Sequence, residues 1–292
     1  MSSDLAISVQ GLSKQYTVHD TGAWSLKSAI LHLPAYLRQQ RQQTSFWAVQ
    51  DVTFDVAQGE FFSIIGANGS GKSTLLRMLA GLSKPSAGTI ATSGNVSSLL
   101  ELGSGFHPSV SGRENAVMNG LLMGLSRAEI DEVMPRIVEF SGLAEFIDQP
   151  MRTYSSGMYL RLGFAIATAL EPDVLVVDEV LAVGDSQFQD KCYAHIESVM
   201  ARGATVVMVS HDLNAVERLS SRVALMEQGN LVALGNPHDT VAEHLERLIS
   251  SSPEIRRNFD EALTEKIAAD PAARAELEAK IAEKRAAEER EA

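Results

Sequence analysis

Gly66-Ala67-Asn68-Gly69-Ser70-Gly71-Lys72-Ser73, followed by Thr74, decides how this chain is read. The octet fits GxxxxGK[ST], and it stands between an apolar run, Glu60–Ile65, and a stretch of helical spacing, Lys72–Ala80. A strand that feeds a glycine loop and opens a helix is a phosphate cradle. The glycines let backbone N–H groups wrap a phosphate, and the helix start adds unsatisfied donors and about half a positive charge. Lys72 is expected to reach β- and γ-phosphate oxygens and the Ser73 hydroxyl to bind Mg²⁺, with Gly66 through Thr74 as the nucleotide contacts.

A second stretch supplies carboxylates. Val174-Leu175-Val176-Val177-Asp178-Glu179 is an apolar strand that ends in two acids. Side chains alternate along a strand, so the two acids point apart and divide the work. Asp178 is expected to hold Mg²⁺ through water, and Glu179 to orient and polarise the water that attacks the γ-phosphate.

Around these motifs, short β-branched runs alternate with helix-like stretches, with Gly, Pro and Asn between them, which is the pattern of an α/β architecture. Strands are expected at Ala48–Val56, Glu60–Ile65, Asp173–Val177 and Thr205–Val209, and a hairpin over Arg222–Leu234 turning at Gln228-Gly229-Asn230. Ala116–Leu125 and Ile130–Phe140 have helical spacing, so a helical subdomain is expected over about residues 111–170.

Composition narrows the classes. The 292 residues suffice for a sizeable core, and 25 Lys and Arg against 37 Asp and Glu leave a formal charge of −12, which disfavours a general nucleic-acid binder. A single cysteine, Cys192, and the lack of any CxxC fit a reducing, cytoplasmic setting. Met1–Gln10 lacks signal-peptide character, and no uncharged apolar run approaches the ~20 residues that cross a bilayer. Two segments exceed a minimal α/β core. Leu26, Ile30, Leu33 and Leu37 have helical spacing, so residues 17–45 are read as a helical insertion that either packs on the domain's own core or touches a membrane partner. Residues 250–292 turn rich in Ala, Glu, Lys and Arg, with i,i+4 pairs Leu263/Ile267 and Leu277/Ile281, and read as a charged helical extension broken near Asp270-Pro271.

Three further features choose among nucleotide hydrolases: Tyr154-Ser155-Ser156-Gly157-Met158 before a helix-like stretch, Ala182-Val183-Gly184-Asp185 after the acidic strand, and His211 after Val206–Ser210. With them the chain resembles, over about residues 5–240, the nucleotide-binding domain of ABC transporters, whose Walker A, signature, Walker B, D-loop and switch histidine come in this order. The resemblance implies an α/β P-loop domain of residues 1–249 with a RecA-like core, an antiparallel β subdomain and a helical subdomain, plus the helical tail. It also implies an ATPase. No guanine-selecting NKxD or TKxD occurs, so ATP is preferred. In the family the signature, here Ser155, Ser156 and Gly157, faces the γ-phosphate held by the opposite subunit, so one chain with one Walker A and one signature implies a head-to-tail homodimer around two ATP molecules. Asp185 is then the D-loop residue, and His211 contacts the γ-phosphate and links its loss to reopening. Tyr16 fits the aromatic that stacks on adenine, with Trp47 and Phe46 as rivals.

Departures narrow the branch. Against the common LSGGQ, Ser156 replaces a glycine and Met158 a glutamine. Glu101, in Leu99-Leu100-Glu101-Leu102-Gly103-Ser104-Gly105-Phe106-His107-Pro108, stands at the Q-loop position that usually ligates the metal, a one-residue shift being the alternative. Together with Gly112-Arg113-Glu114-Asn115 and the insertion, these features resemble the ATPase subunit of bacterial polysaccharide exporters, which move O antigens, capsules and teichoic acids. That resemblance implies two copies of a membrane-spanning permease as partners, a peripheral place on the cytoplasmic face of the inner membrane, and a Glu101–His107 loop that couples ATP state to the permease. Residues 250–292 are too short and helix-like for a glycan-binding β-sandwich, so no direct glycan-binding domain is expected. The rivals are another ABC exporter, for a drug, lipid or lipoprotein, and an ABC-type ATPase acting on DNA or ribosomes.

Overall fold

The computed structural model describes residues 4–19, 43–100, 105–169, 172–178 and 186–251. The interior of the insertion, Glu101, Glu179, the Ala182–Asp185 segment and the tail beyond Ser251 lie outside the described residues. The chain forms two compact units, Met1–Val241 and Ala242–Ala292.

The first unit holds two sheets. β1 (Leu5–His19), β2 (Gln43–Ala57) and β4 (Ala87–Thr92) form an antiparallel sheet in the order β2-β1-β4. β3 (Phe61–Ile65), β5 (Val96–Ser98), β6 (Val174–Val177), β7 (Thr205–Val209), β8 (Arg222–Glu227) and β9 (Asn230–Gly235) form a six-stranded sheet in the order β5-β6-β7-β3-β8-β9. Every pairing in it is parallel except β8 with β9.

β3, β6 and β7 are buried at every position, because both faces of a parallel sheet are covered. The strand period of two splits each between cores. Phe62, Ile64, Val176 and Val207 pack with Leu75 and Leu76 of α1 (Lys72–Leu79) and with β1 and β2, while Phe61, Leu175, Val177 and Met208 pack against Cys192 and Ile196 of α5 (Ser186–Ala201). Burial pushes the Cys192 thiol up to about 12, so the chain's one cysteine is a neutral core residue rather than a nucleophile.

A third core joins α2 (Gly112–Leu122), α3 (Arg127–Ser141) and α4 (Ser156–Ala169) around Ile130, Ile137, Leu162 and Ile166. This is the helical subdomain, and its first two helices start earlier than hydrophobic spacing alone indicates. Ser111 with Glu114 and Ser126 with Glu129 form capping boxes, whose reciprocal bonds set the helix starts at Gly112 and Arg127. α6 (Leu213–Leu219) follows β7, and α7 (Pro237–Ser251) continues past Val241 into the second unit.

Three expectations are corrected in extent. Ala48–Val56 is the inner part of a longer strand, Gln43–Ala57. The insertion is not helical throughout 17–45, because Thr17, Val18 and His19 pair with Ser45, Thr44 and Gln43 and prolong the β1–β2 ladder. The hairpin closes at Gly235, turning through Gln228 (φ 47) and Gly229 (φ 85), the two left-handed residues of a type I′ turn. Among the described residues no helix is long and apolar enough to cross a membrane.

Candidate nucleotide site

Strand order assembles the site. β7 lies between β3 and β6, and the register sets Ile64 beside Val209 and Val177 beside Met208. The three strands therefore end at one level, with Gly66, Asp178 and Ser210-His211 following them along a single carboxyl edge. Two strand spacings of about 4.8 Å separate β3 from β6, the span of a small phosphate site at the edge where open α/β sheets take ligands.

The glycine loop is shaped by what surrounds it. Gly66 has φ 146, and a Cβ there would overlap the Met226 carbonyl oxygen; Gly71 has φ 102, and a Cβ there would overlap the Ala48 carbonyl oxygen. Both need glycine for close approach as well as for conformation. The β8–β9 turn clamps the loop, since Gly229 N–H donates to the Ser70 carbonyl (3.0 Å) and the Gly229 carbonyl accepts from Gln50 N–H (2.8 Å). Lys72 is buried, its Nζ donating to the carbonyls of Gly66 (2.8 Å) and Ala67 (3.0 Å). This holds the ammonium beneath the loop instead of in solvent.

Three observations fit this loop to a phosphate group. α1 begins after Gly71 without a side-chain cap, whereas α2 and α3 are capped by their own serines. The Ser70 hydroxyl is buried and has no hydrogen-bond partner. Ala67, Asn68, Gly69 and Ser73 are exposed around it. For Mg²⁺, Ser73 and the half-buried Asp178 are oxygen donors, the type that ion selects. The described residues contain no group of three His, Cys, Asp or Glu that would form a full cage. Mg²⁺ held by one or two protein oxygens together with phosphates does not require one.

The adenine candidates share one arm of the antiparallel sheet. Tyr16 pairs with Phe46, their ring centroids 5.9 Å apart, and Gln15 pairs with Trp47. All three rings are exposed, at 37% for Tyr16, 51% for Phe46 and 44% for Trp47, and Lys14 Nζ lies 5.3 Å from the Tyr16 ring. Ala48, next to Trp47, is the residue whose carbonyl abuts Gly71, so the arm starts beside the phosphate loop.

Ser155 and Ser156 are exposed at the start of α4, and Ser155 Oγ accepts from Met158 N–H (3.2 Å), which makes Ser155 the cap of its own helix. α4 belongs to the helical core and α1 to the first core. His211 is exposed on a turn fixed by its neighbour: Asp212 accepts from Asn214 and Ala215 N–H groups and caps α6, while Asp212 N–H donates to Ser210 Oγ (3.0 Å). Of the residues singled out from sequence, the loop Gly66–Thr74, Asp178 and His211 thus share one edge, Tyr16 sits on the flanking sheet, and Ser155–Gly157 stand on the helical subdomain.

Sequence reading treated Gly112-Arg113-Glu114-Asn115 as a label only, and each of the four has a physical task. A Cβ on Gly112 would overlap the hydroxyl of Tyr154, which donates to the Phe146 carbonyl (2.8 Å) and precedes the signature serines. Arg113 Nε donates to Asp148 (2.6 Å), an exchange that holds the Asp148 carboxyl below its usual range. Glu114 completes the capping box. Asn115, fully buried, accepts from His107 N–H (2.6 Å) and donates to the carbonyls of Ser111 (2.9 Å), His107 (3.1 Å) and Val110 (3.3 Å). Phe106 meets Tyr159 of α4 edge-on at 4.9 Å. Phe106 is therefore tied to the signature helix, while Leu99 N–H donates to the Val176 carbonyl of the sheet (2.8 Å). Asn115→Ala strands the His107 N–H and several carbonyls, and is expected to lower unfolding free energy by about 2 kcal/mol in urea titrations. A change within error would show that the Asn115 bonds do not hold the loop.

This mostly parallel sheet, with a glycine loop after β3 and an acid after β6, two strands away, is the architecture of a P-loop nucleotide-binding domain. The family model described as ABC transporter matches residues 49–182. The O-antigen export system ATP-binding protein RfbB of Klebsiella pneumoniae is 44% identical over 230 residues, 79% of this chain and 93% of that protein. The teichoic acids export ATP-binding protein TagH of Listeria monocytogenes is 37% identical over 244 residues, 84% of this chain and 71% of that protein. Among solved structures, the dimeric ATP-binding cassette MJ0796 in a post-hydrolysis state with ADP and phosphate superposes with a TM-score of 0.62 at 20% identity, covering 79% of this chain and 98% of that one. The chain belongs to the ABC transporter family as an ATP-binding subunit. It binds ATP and is an ATPase.

Proposed function

We propose that this chain powers the export of a lipid-linked polysaccharide, such as an O antigen, a capsule or a related glycan, across the cytoplasmic membrane. The observation that carries the reading is 44% identity to an O-antigen export subunit along 93% of that protein's length, joined by similarity to a teichoic acid export subunit. The experiment is glycan analysis of a strain lacking the chain. Polymer accumulates inside and disappears from the surface if the reading holds, and an unchanged surface polymer rejects it.

In this proposal Gly66, Ala67, Asn68, Gly69, Ser70, Gly71 and Thr74 wrap the phosphates of ATP with backbone and hydroxyl donors, and Lys72 neutralises the β- and γ-phosphates. Ser73, Asp178 and Glu101 hold Mg²⁺, which when bound offsets phosphate charge. Glu179 polarises the attacking water and His211 senses the γ-phosphate. Support for the catalytic half is the shared carboxyl edge of β3, β7 and β6.

Ser155, Ser156 and Gly157 act on the ATP of a second copy, with Asp185 at the same seam. Support is the placement of α1 and α4 in different cores, which suits a signature that serves another chain's loop. ATP binding closes the dimer, and loss of the γ-phosphate reopens it through its differential affinity for the closed state. Two permease copies receive the motion, and the subunit sits peripherally on the cytoplasmic face of the inner membrane. Residues 1–249 are the ATPase domain.

Tyr16 stacks on adenine. Tyr16→Ala is expected to raise KM for ATP on the order of tenfold, the worth of one base–aromatic stack, with kcat nearly unchanged. A larger rise for Trp47→Ala than for Tyr16→Ala would transfer the role to Trp47.

A further inference from the structure

A cavity of about 330 Å³, whose lining shares no residue with the nucleotide site, lies at the seam between the helical core and α5. Its walls come from α3, α4 and α5, and Phe140 joins the two cores there, stacking on Phe164 at 5.5 Å and meeting His195 edge-on at 5.0 Å. The volume is at the small end of ligand pockets. What sets it apart is charge. Arg136, Lys191 and Arg202 line it together with His195, and Glu139 is the one carboxylate among the lining residues.

Lys191 and Arg202 are held by neutral groups. Lys191 Nζ donates to the Phe140 carbonyl (2.6 Å) and lies 4.5 Å from the Phe140 ring centre, and Arg202 donates to the Ser198 hydroxyl (3.4 Å). Among the described residues no carboxylate pairs with either. An ammonium has three donors and a guanidinium five, so each keeps donors beyond these bonds. In a chain of net charge −12, two cations without a carboxylate partner beside one cavity form a local positive site that long-range attraction does not account for. The planar fork of arginine and the point charge of lysine are the groups that bind phosphate oxygens.

We propose that this cavity binds a phosphate or diphosphate group, gripped by Lys191 and Arg202 on the α5 side and by Arg136 on α3. The Phe140 ring and Ala165 give the bound molecule an apolar wall. Such a ligand bridges the helical subdomain and the sheet-bearing core. The chemistry is common to a soluble phosphate compound and to an anionic lipid headgroup. Binding here does not depend on the export reading or on the ATPase site.

The test is calorimetric titration of the full chain with pyrophosphate, with ADP saturating so that the glycine loop is occupied. The native chain is expected to show saturable binding. The double variant Lys191→Gln, Arg202→Gln is expected to lose affinity on the order of tenfold or more, since each charged hydrogen bond is worth a comparable factor. Its ADP affinity should be unchanged. Glu139→Gln, which removes the opposing carboxylate, is expected to tighten pyrophosphate binding, a gain that misfolding cannot mimic. Flotation with phosphatidylcholine vesicles, with and without phosphatidic acid, separates the sources. Binding that needs phosphatidic acid and is lost in the double variant assigns a headgroup, and pyrophosphate binding with no flotation assigns a soluble phosphate. Equal pyrophosphate affinity in the native chain and the double variant, or none in either, overturns the proposal. Failure of ADP to bind would count against the ATPase site alone, because the comparison of native and variant chains still decides the cavity.

Discussion

Replacement of Glu179 by Gln is expected to lower steady-state ATP turnover by a factor on the order of 10² to 10⁴ while ATP binding persists. Glutamine keeps the size and one hydrogen-bonding oxygen of the side chain but cannot accept a proton from the attacking water. Asp178 is expected not to substitute, because the proposal gives its carboxylate to Mg²⁺ rather than to the attacking water. With hydrolysis blocked and binding intact, the closed dimer of the proposal is expected to accumulate, since the γ-phosphate that would favour it is never lost. Size-exclusion chromatography with ATP should show a dimer for the variant, and a phosphate-release assay the loss of turnover. Turnover at the native rate would remove Glu179 from the role of base.

The second large effect is at Lys72. Lys72→Ala is expected to reduce kcat/KM for ATP by on the order of 10² to 10³, the usual scale for deleting one preorganised group at a developing charge. The ammonium is already positioned, buried and bonded to Gly66 and Ala67 carbonyls at 2.8 and 3.0 Å, so little reorganisation precedes its contact with phosphate. Lys72→Arg should not restore activity. A guanidinium is a planar fork, wider than an ammonium, and the loop beneath which it must fit is pinned by Gly229 on one side and Ala48 on the other. Thermal melting measured beside nucleotide binding separates chemistry from folding, since loss of ATP binding with a native melting temperature is the expected pair of results. Retained binding by Lys72→Ala would show that the backbone donors of the loop suffice.

The local motifs were legible in the chain because their chemistry constrains consecutive residues. A phosphate loop must place glycines, a lysine and a serine at fixed offsets between a strand and a helix, and β3 and α1 stand on either side of it as expected. The strands β6 and β7 read as unbroken apolar runs because they are buried on both faces. Hydrophobic spacing found α2 and α3 but misplaced their starts, although Ser111/Glu114 and Ser126/Glu129 carried the capping signal in plain view.

β1 was less legible. Leu5–His19 is long, interrupted by Gly11, and paired through several register shifts to a strand that begins at Gln43, so neither its length nor its partner follows from alternation.

By itself, then, the sequence determined the class of chemistry: a phosphate loop, an acidic strand end, a signature and a histidine, each a local constraint. Tertiary structure alone decided how they meet. That β7 lies between β3 and β6, which brings His211 level with Gly66 and Asp178, depends on pairings between residues 145 positions apart for β3 with β7 and 31 apart for β6 with β7. The tasks of Gly112 and Asn115 were likewise invisible until Tyr154 and the His107 backbone were packed against them. Sequence records the covalent neighbours of a residue, whereas a close approach or a buried hydrogen bond is set by the partner that folding delivers.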